Sequence, residues 1–183
     1  MKKVYILLGI LVLAGLYTWS AYNTLVTGRE AINNQWAQVE TQYQRRLDLI
    51  PNLVESVKGI MKQEQQVFGD LAEARTRYAG AVTADQKAQA ATQVEGALGR
   101  LLVIMENYPQ LKSSETVQTL MAQLEGTENR VSVERKRYND QVRDYNLLVK
   151  QIPGKWVAGW FGFEARTYFE SKPGAENAPK VSF

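Results

Sequence analysis

Residues 4–22 contain no charged side chain, and a seven-residue apolar repeat begins directly after them. A helix rises about 1.5 Å per residue, so this stretch is long enough to cross a hydrocarbon core about 30 Å thick. The repeat that follows places Leu25, Ile32, Val39, Arg46, Leu53, Ile60, Val67 and Ala74 on one seam. Arg29, Trp36, Tyr43, Ile50, Val57, Glu64, Leu71 and Tyr78 interleave with them. All but Arg29, Arg46 and Glu64 are apolar, which is the signature of a long helix packed along one stripe. A single amino-terminal transmembrane helix running into a helical domain is therefore the first expectation.

Lys2 and Lys3 precede the apolar run, as they would in a signal peptide, but cleavage is disfavoured. A cut after Ala21 would leave Trp19 where a small residue is needed, and Leu16 stands where a lipoprotein cysteine would follow Leu13, Ala14 and Gly15. Tyr17, Trp19 and Tyr22 gather at the far end, where amphipathic rings settle at a membrane surface. The expectation is a retained anchor. The positive-inside bias puts the amino terminus in the cytoplasm and the bulk of the chain outside, and two lysines leave the opposite topology open.

The chain has 183 residues, which suits one domain with a real core. Its 22 basic and 19 acidic residues are scattered and give a net charge of +3 without a concentrated field. There is no cysteine and no histidine. That removes disulfides, thiolate chemistry, the usual zinc sites and imidazole bases, so neither a cofactor nor a metal is expected.

The heptad phase persists across Pro51, which predicts a kink in one helix running to Gly80. A tight reversal at Pro51, giving an up-down-up-down bundle, is the alternative. Thr83 with Gln86 reads as a capping box opening the next helix, which ends near Asn107, Tyr108 and Pro109. Ser113 or Ser114 caps a third, with Glu115 at its positive end. Along it Val117, Leu124, Val131, Tyr138, Tyr145 and Ile152 share one heptad position, and Met121, Glu128, Arg135, Val142 and Val149 share its partner. Pro153 and Gly154 stop it. The expected fold is all-α: the anchor, then an elongated antiparallel bundle of three long helices, then a short aromatic segment. The divisions are 1–28 for the stub and anchor, 29–152 for the bundle, 153–170 for the aromatic segment and 171–183 for a flexible tail.

Two separated motifs resemble the LemA family. The first runs through Arg29, Glu30, Ala31, Asn33, Trp36, Ala37, Gln38, Val39 and Glu40, then Arg45, Arg46, Asp48, Leu49, Ile50, Pro51, Asn52, Leu53 and Val54 to Lys58 and Gly59. The second comprises Tyr138, Asn139, Val142, Arg143, Tyr145 and Asn146, then Phe161, Gly162, Phe163, Tyr168, Phe169 and Glu170, and finally Ala178, Pro179, Lys180 and Val181. Departures are Tyr43 and the Gly154, Lys155, Trp156 turn. The resemblance implies an anchored helical domain in the bacterial envelope, at the inner membrane, in a family without an assigned activity or ligand.

Candidate interaction residues follow from both readings: Trp36, Arg45, Arg46, Asp48, Pro51, Tyr145, Asn146, Trp156, Trp160, Phe161, Gly162 and Phe163. Arg45 and Asp48, three apart, are expected to pair while Arg46 turns inward. Arg46, Glu64, Glu128 and Arg135 sit at seam positions, where charges pair or snorkel and fix register, or else line a ligand site. Asp140 and Asp144 are flanked by Arg137 and Arg143, which neutralise a would-be metal face. Arg135, Lys136 and Arg137 point about 100° apart around a helix, so they build no stripe for nucleic acid. Gly96 and Gly99, like Gly159 and Gly162, lack the strand and lysine of a phosphate loop. Trp156, Trp160, Phe161, Phe163, Tyr168 and Phe169 read first as a plug closing the bundle, and second as an exposed patch for a protein or a bilayer. The function expected is a non-enzymatic scaffold or adaptor with the membrane, its own copies or other envelope proteins as partners. A receptor for a small ligand or lipid between its helices is the alternative.

Overall fold

The computed structural model describes residues 2–169; the expected tail and the motif at Ala178, Pro179, Lys180 and Val181 lie outside the described residues. Described residues form six helices and no strand: α1 (Lys2–Lys58), α2 (Gln65–Gly80), α3 (Ala84–Met105), α4 (Pro109–Lys112), α5 (Glu115–Lys150) and α6 (Gly154–Phe161). Packing divides the chain into two compact units. The first combines Met1–Gln38 with Glu134–Tyr168, and the second is built on Val39–Val133.

In the second unit the chain departs from the expected course. α1 continues through Pro51 and ends at Lys58, so the anticipated single helix to Gly80 is two helices, and the three expected long helices are four, α1, α2, α3 and α5. Reversal at Pro51 is likewise absent. The proline lacks an N–H and crowds the preceding turn, but Ile50, Leu53 and Val57 on either side of it are buried and hold the helix together. Past Lys58 the Ile60 and Met61 amides both bond to the Val57 carbonyl (3.0 and 2.9 Å). Met61, fully buried, takes the core place that the heptad assigns to Ile60, which is 40% exposed.

α2 then turns back along α1. The Tyr43 and Tyr78 rings lie 5.8 Å apart, although 35 positions separate these residues in sequence. α3 reverses again: Arg77 donates to Gln93 (3.2 Å), and Arg100 pairs with Asp70 (3.3 Å). α3 meets α1 through a Lys87–Glu40 ion pair, and α5 meets α1 through an Arg46–Glu128 ion pair. Successive long helices of this unit thus alternate in direction. The Thr83 hydroxyl accepts from the Gln86 amide (3.2 Å), and the Gln86 side chain accepts from the Thr83 amide (3.2 Å). The expected capping box therefore opens α3. Ser114 caps α5, its hydroxyl accepting from the Val117 amide (3.5 Å).

The first unit pairs the early part of α1 with the late part of α5. Leu25 and Ile32 are buried, as are Tyr138, Val142 and Tyr145. Ile152 leaves the expected register: it lies beyond Lys150, where α5 stops, and is 66% exposed. Tyr145 approaches α1 at Gly28, where a Cβ would stand 3.2 Å from the tyrosine ring. α6 closes with Gly162 at φ 70°, a left-handed conformation that glycine adopts without a Cβ penalty. That turn lets the Phe163 amide bond to the Ala158 carbonyl (2.9 Å) while the Phe163 ring is buried.

Two substitutions separate core from cap. Leu53→Ala, at a fully buried site, is expected to cost about 2–5 kcal/mol. Thr83→Ala is expected to cost about 1 kcal/mol. Urea unfolding of the detergent-solubilised protein, followed by circular dichroism, measures both.

Candidate functional site

Two places bring candidate residues together, one in each unit. In the second unit, Arg46 is 8% exposed and sits at a heptad position. Its guanidinium pairs with Glu128 and lies 3.8 Å from the Glu95 carboxylate. Glu95 is itself buried and accepts from the Tyr43 hydroxyl (3.2 Å). A buried cation between two carboxylates offsets the desolvation that each charge would suffer alone. Beside this cluster lies an apolar cleft of about 900 Å³, walled by Leu98, Leu102 and Met105 of α3, Leu111 of α4 and Met121 and Leu124 of α5. The arrangement offers a greasy wall with a charged pole.

The neighbouring residues take other parts. Arg45 is exposed, and Asp48 accepts from Gln44 (2.9 Å). The expected Arg45–Asp48 pair is therefore not formed, because Gln44, one full turn before Asp48, reaches it first. Glu64 binds the Tyr108 hydroxyl (3.1 Å) and lies away from the cleft. Tyr78 is buried, and its hydroxyl has no hydrogen-bond partner. Burial, reinforced by the charge of Glu40, pushes its pKa up to about 12.

In the first unit, Trp36 stacks edge-on against Tyr138 at 5.6 Å. Asn146 is buried, its amide nitrogen donating to the Arg166 carbonyl (2.9 Å) and its oxygen accepting from the Arg166 amide (2.8 Å). Phe161 and Phe163 both meet Tyr22, at 4.9 and 5.7 Å between ring centroids, and the Arg29 guanidinium lies 5.4 Å from the Phe163 ring centre. The aromatic segment is therefore split. Val157, Ala158 and Phe163 are buried, while Trp156, Trp160 and Phe161 are 57%, 75% and 53% exposed. The expectation of a closed plug holds for Phe163 and fails for Trp156, Trp160 and Phe161, because an eight-residue helix docked on one face must turn the other outward. Burial pulls the Arg135 pKa down to about 10. Arg143 donates to both Asp140 (3.2 Å) and Asp144 (3.1 Å), so these carboxylates share a cation; Arg137 pairs instead with Glu134.

Sequence reasoning overlooked Glu95, Arg166 and the contact of Tyr22 with Phe161 and Phe163. Glu95 had a legible signal: it stands four residues after Ala91 and three before Leu98, on a face that is otherwise apolar. Tyr22 and Arg166 had none, since their roles arise from long-range contacts.

Among the described residues the protein is helical, with one long exposed apolar helix end, a charged core cluster and an aromatic closure, features that define a membrane-associated helical protein. The chain belongs to the LemA family, whose sequence profile matches residues 35–183. It is similar to magnetosome protein MamQ 2 and magnetosome protein MamQ 1 of Paramagnetospirillum magneticum, each 26% identical over 181 aligned residues. It is 25% identical to magnetosome protein MamQ of Magnetospirillum gryphiswaldense. Each alignment covers 85% of this chain and 66% of the relative, so the chain spans just under two thirds of the length of the curated relatives it matches.

Two expectations follow. Arg46→Ala removes the guanidinium from beside the buried Glu95 and should cost about 3 kcal/mol, part of which returns when Glu95→Gln is added; urea midpoints of the single and double variants test this. Tyr78→Phe should raise stability at pH 7 by about 1 kcal/mol, since the buried hydroxyl makes no bond that would offset its desolvation. A phenol with a raised pKa retains its contribution below about pH 10 and loses it as pH climbs toward about 12. The variant should therefore melt higher than the wild type at pH 11, by a wider margin than at pH 7.

Proposed function

We propose that this chain is a membrane-anchored, non-enzymatic adaptor that presents a helical bundle for contact with its own copies or with other membrane proteins. The observation that carries this reading is the state of α1's first turns. An 18-residue window there has a mean hydropathy of 1.9 and no part of it is buried against the protein. An apolar surface of that size, left uncovered, is stable only in a hydrocarbon environment or against another chain. Kinship supports the same reading: the relatives' names give the magnetosome as their place and state no reaction. In this reading the anchor crosses the inner membrane with Lys2 and Lys3 on the cytoplasmic side. Thr18 bonds back to the Ala14 carbonyl (2.8 Å), which hides its hydroxyl and leaves a small-residue strip fit for packing between anchors.

Mild crosslinking in native membranes is the test. The expected result is a ladder of self-adducts or a discrete set of membrane-protein adducts, and retention in the pellet after alkaline carbonate washing. A protein that stays monomeric and washes free would overturn the proposal. A reporter fused after Phe183 reads the topology.

A second reading, a receptor for an amphipathic molecule, is favoured by the cleft beside Arg46. Its apolar wall and charged pole match a ligand with one greasy and one polar end. Mass spectrometry of gently extracted protein should then detect a co-purifying lipid-like molecule that Met121→Trp, which fills the cleft, excludes.

A further inference from the structure

The first unit contains an exposed aromatic face whose position along α1 is fixed by contacts. Trp156 and Trp160 are one helical turn apart on α6 and point away from the side that Val157 and Ala158 bury. Phe161 packs on Tyr22. The turn that joins α5 to α6 lies lower along the same helix. Ile152, Pro153 and Gly154 border a small cleft of about 250 Å³ together with Tyr17, Ala21 and Leu25. Tyr17 precedes Tyr22 by five residues, which is about 7.5 Å along a helix.

The chemistry of this end is uniform. Between positions 145 and 163 the charged residues are Lys150 and Lys155, with no acid among them. On α1, no charge occurs from residue 4 until Arg29. Amphipathic helices that lie along a bilayer sink about 5–10 Å into the boundary between head groups and chains, and they carry tryptophan on the buried side and lysine beside it. A water-facing site would instead leave two tryptophans, Phe161 and Ile152 solvated within one short stretch.

We infer that α6 and the turn before it lie in the head-group layer of the membrane that α1 enters, with Trp156 and Trp160 inserted among phospholipids as a second point of attachment. The inference rests on the anchored reading of α1. Lys150 and Lys155 face the lipid phosphates, Phe161 and Tyr22 lock α6 to the anchor at a set depth, and Ile152 reaches the upper acyl chains.

Full-length protein reconstituted in phosphatidylcholine vesicles containing phosphatidylglycerol provides the test. The chain has four tryptophans, and Trp19→Phe with Trp36→Phe leaves Trp156 and Trp160 as the reporters. Their fluorescence should be quenched severalfold more by lipids brominated near the head group than by lipids brominated near the chain end, and acrylamide quenching should fall severalfold relative to a denatured sample. A companion variant that keeps only Trp19 reports the anchor itself. Lipid quenching of Trp19 without quenching of Trp156 and Trp160 would overturn the inference and leave the anchor standing; quenching of neither would overturn both. Tryptophans shielded from acrylamide yet untouched by bromine would mean that a protein covers the face, which also overturns it. Should Trp36→Phe impair folding, the difference between wild type and a Trp156→Phe, Trp160→Phe variant reports the same pair.

Discussion

Continuity of α1 is the constraint on which everything else depends. In the anchored reading proposed above, a backbone entering hydrocarbon must satisfy its own hydrogen bonds, and an unbroken helix does so within one segment of chain. The same helix then supplies seam residues to both compact units: Leu25 and Ile32 to the first, Val39, Tyr43, Ile50, Leu53 and Val57 to the second. Because one element serves both units, an error in its register would misplace every partner. This explains why Pro51 is tolerated. Residues on both sides of it are committed to the core, and the packing energy of several buried aliphatic side chains exceeds the roughly 3 kcal/mol that a proline costs an isolated helix.

Charge in the core complements that continuity. Arg46, Glu95 and Glu128 come from three different helices, and none is comfortable in an apolar seam alone. Apolar side chains slide past each other at modest cost, whereas a guanidinium with two carboxylates has one satisfactory alignment. The cluster therefore selects the helix alignment more than it adds stability. All three of its members also border the apolar cleft.

Much of the fold was legible because its signals are local. Thr83 and Gln86 cap α3 through side chains three residues apart, and Ser114 does the same work for α5. The α5 register was legible for a related reason, since Val117, Leu124, Val131, Tyr138 and Tyr145 repeat on a single face and all five are buried. The turn after Lys58 was hidden by coincidence: Leu71, Ala74 and Tyr78 of α2 fall on the same seven-residue count as α1, so periodicity could not reveal that the helix had reversed. Gly59 was the clue, and its meaning depended on Met61 displacing Ile60. At the aromatic end, composition located a cluster of rings but could not sort Phe163, which is buried, from Trp160, which is not. That sorting is decided by α6's docking on α1, a contact across more than a hundred residues.

The mutual amide pairing of Asn146 with position 166 has a consequence for how sequence can drift here. Asn146 reads the main chain, offering one acceptor and one donor to the N–H and C=O of a single residue. The backbone at position 166 is thus clasped without regard to that residue's own side chain. Position 166 can accept almost any residue except proline, which would withdraw the N–H. Position 146 is far less free: aspartate there would forfeit the donor, and leucine would forfeit both halves of the clasp.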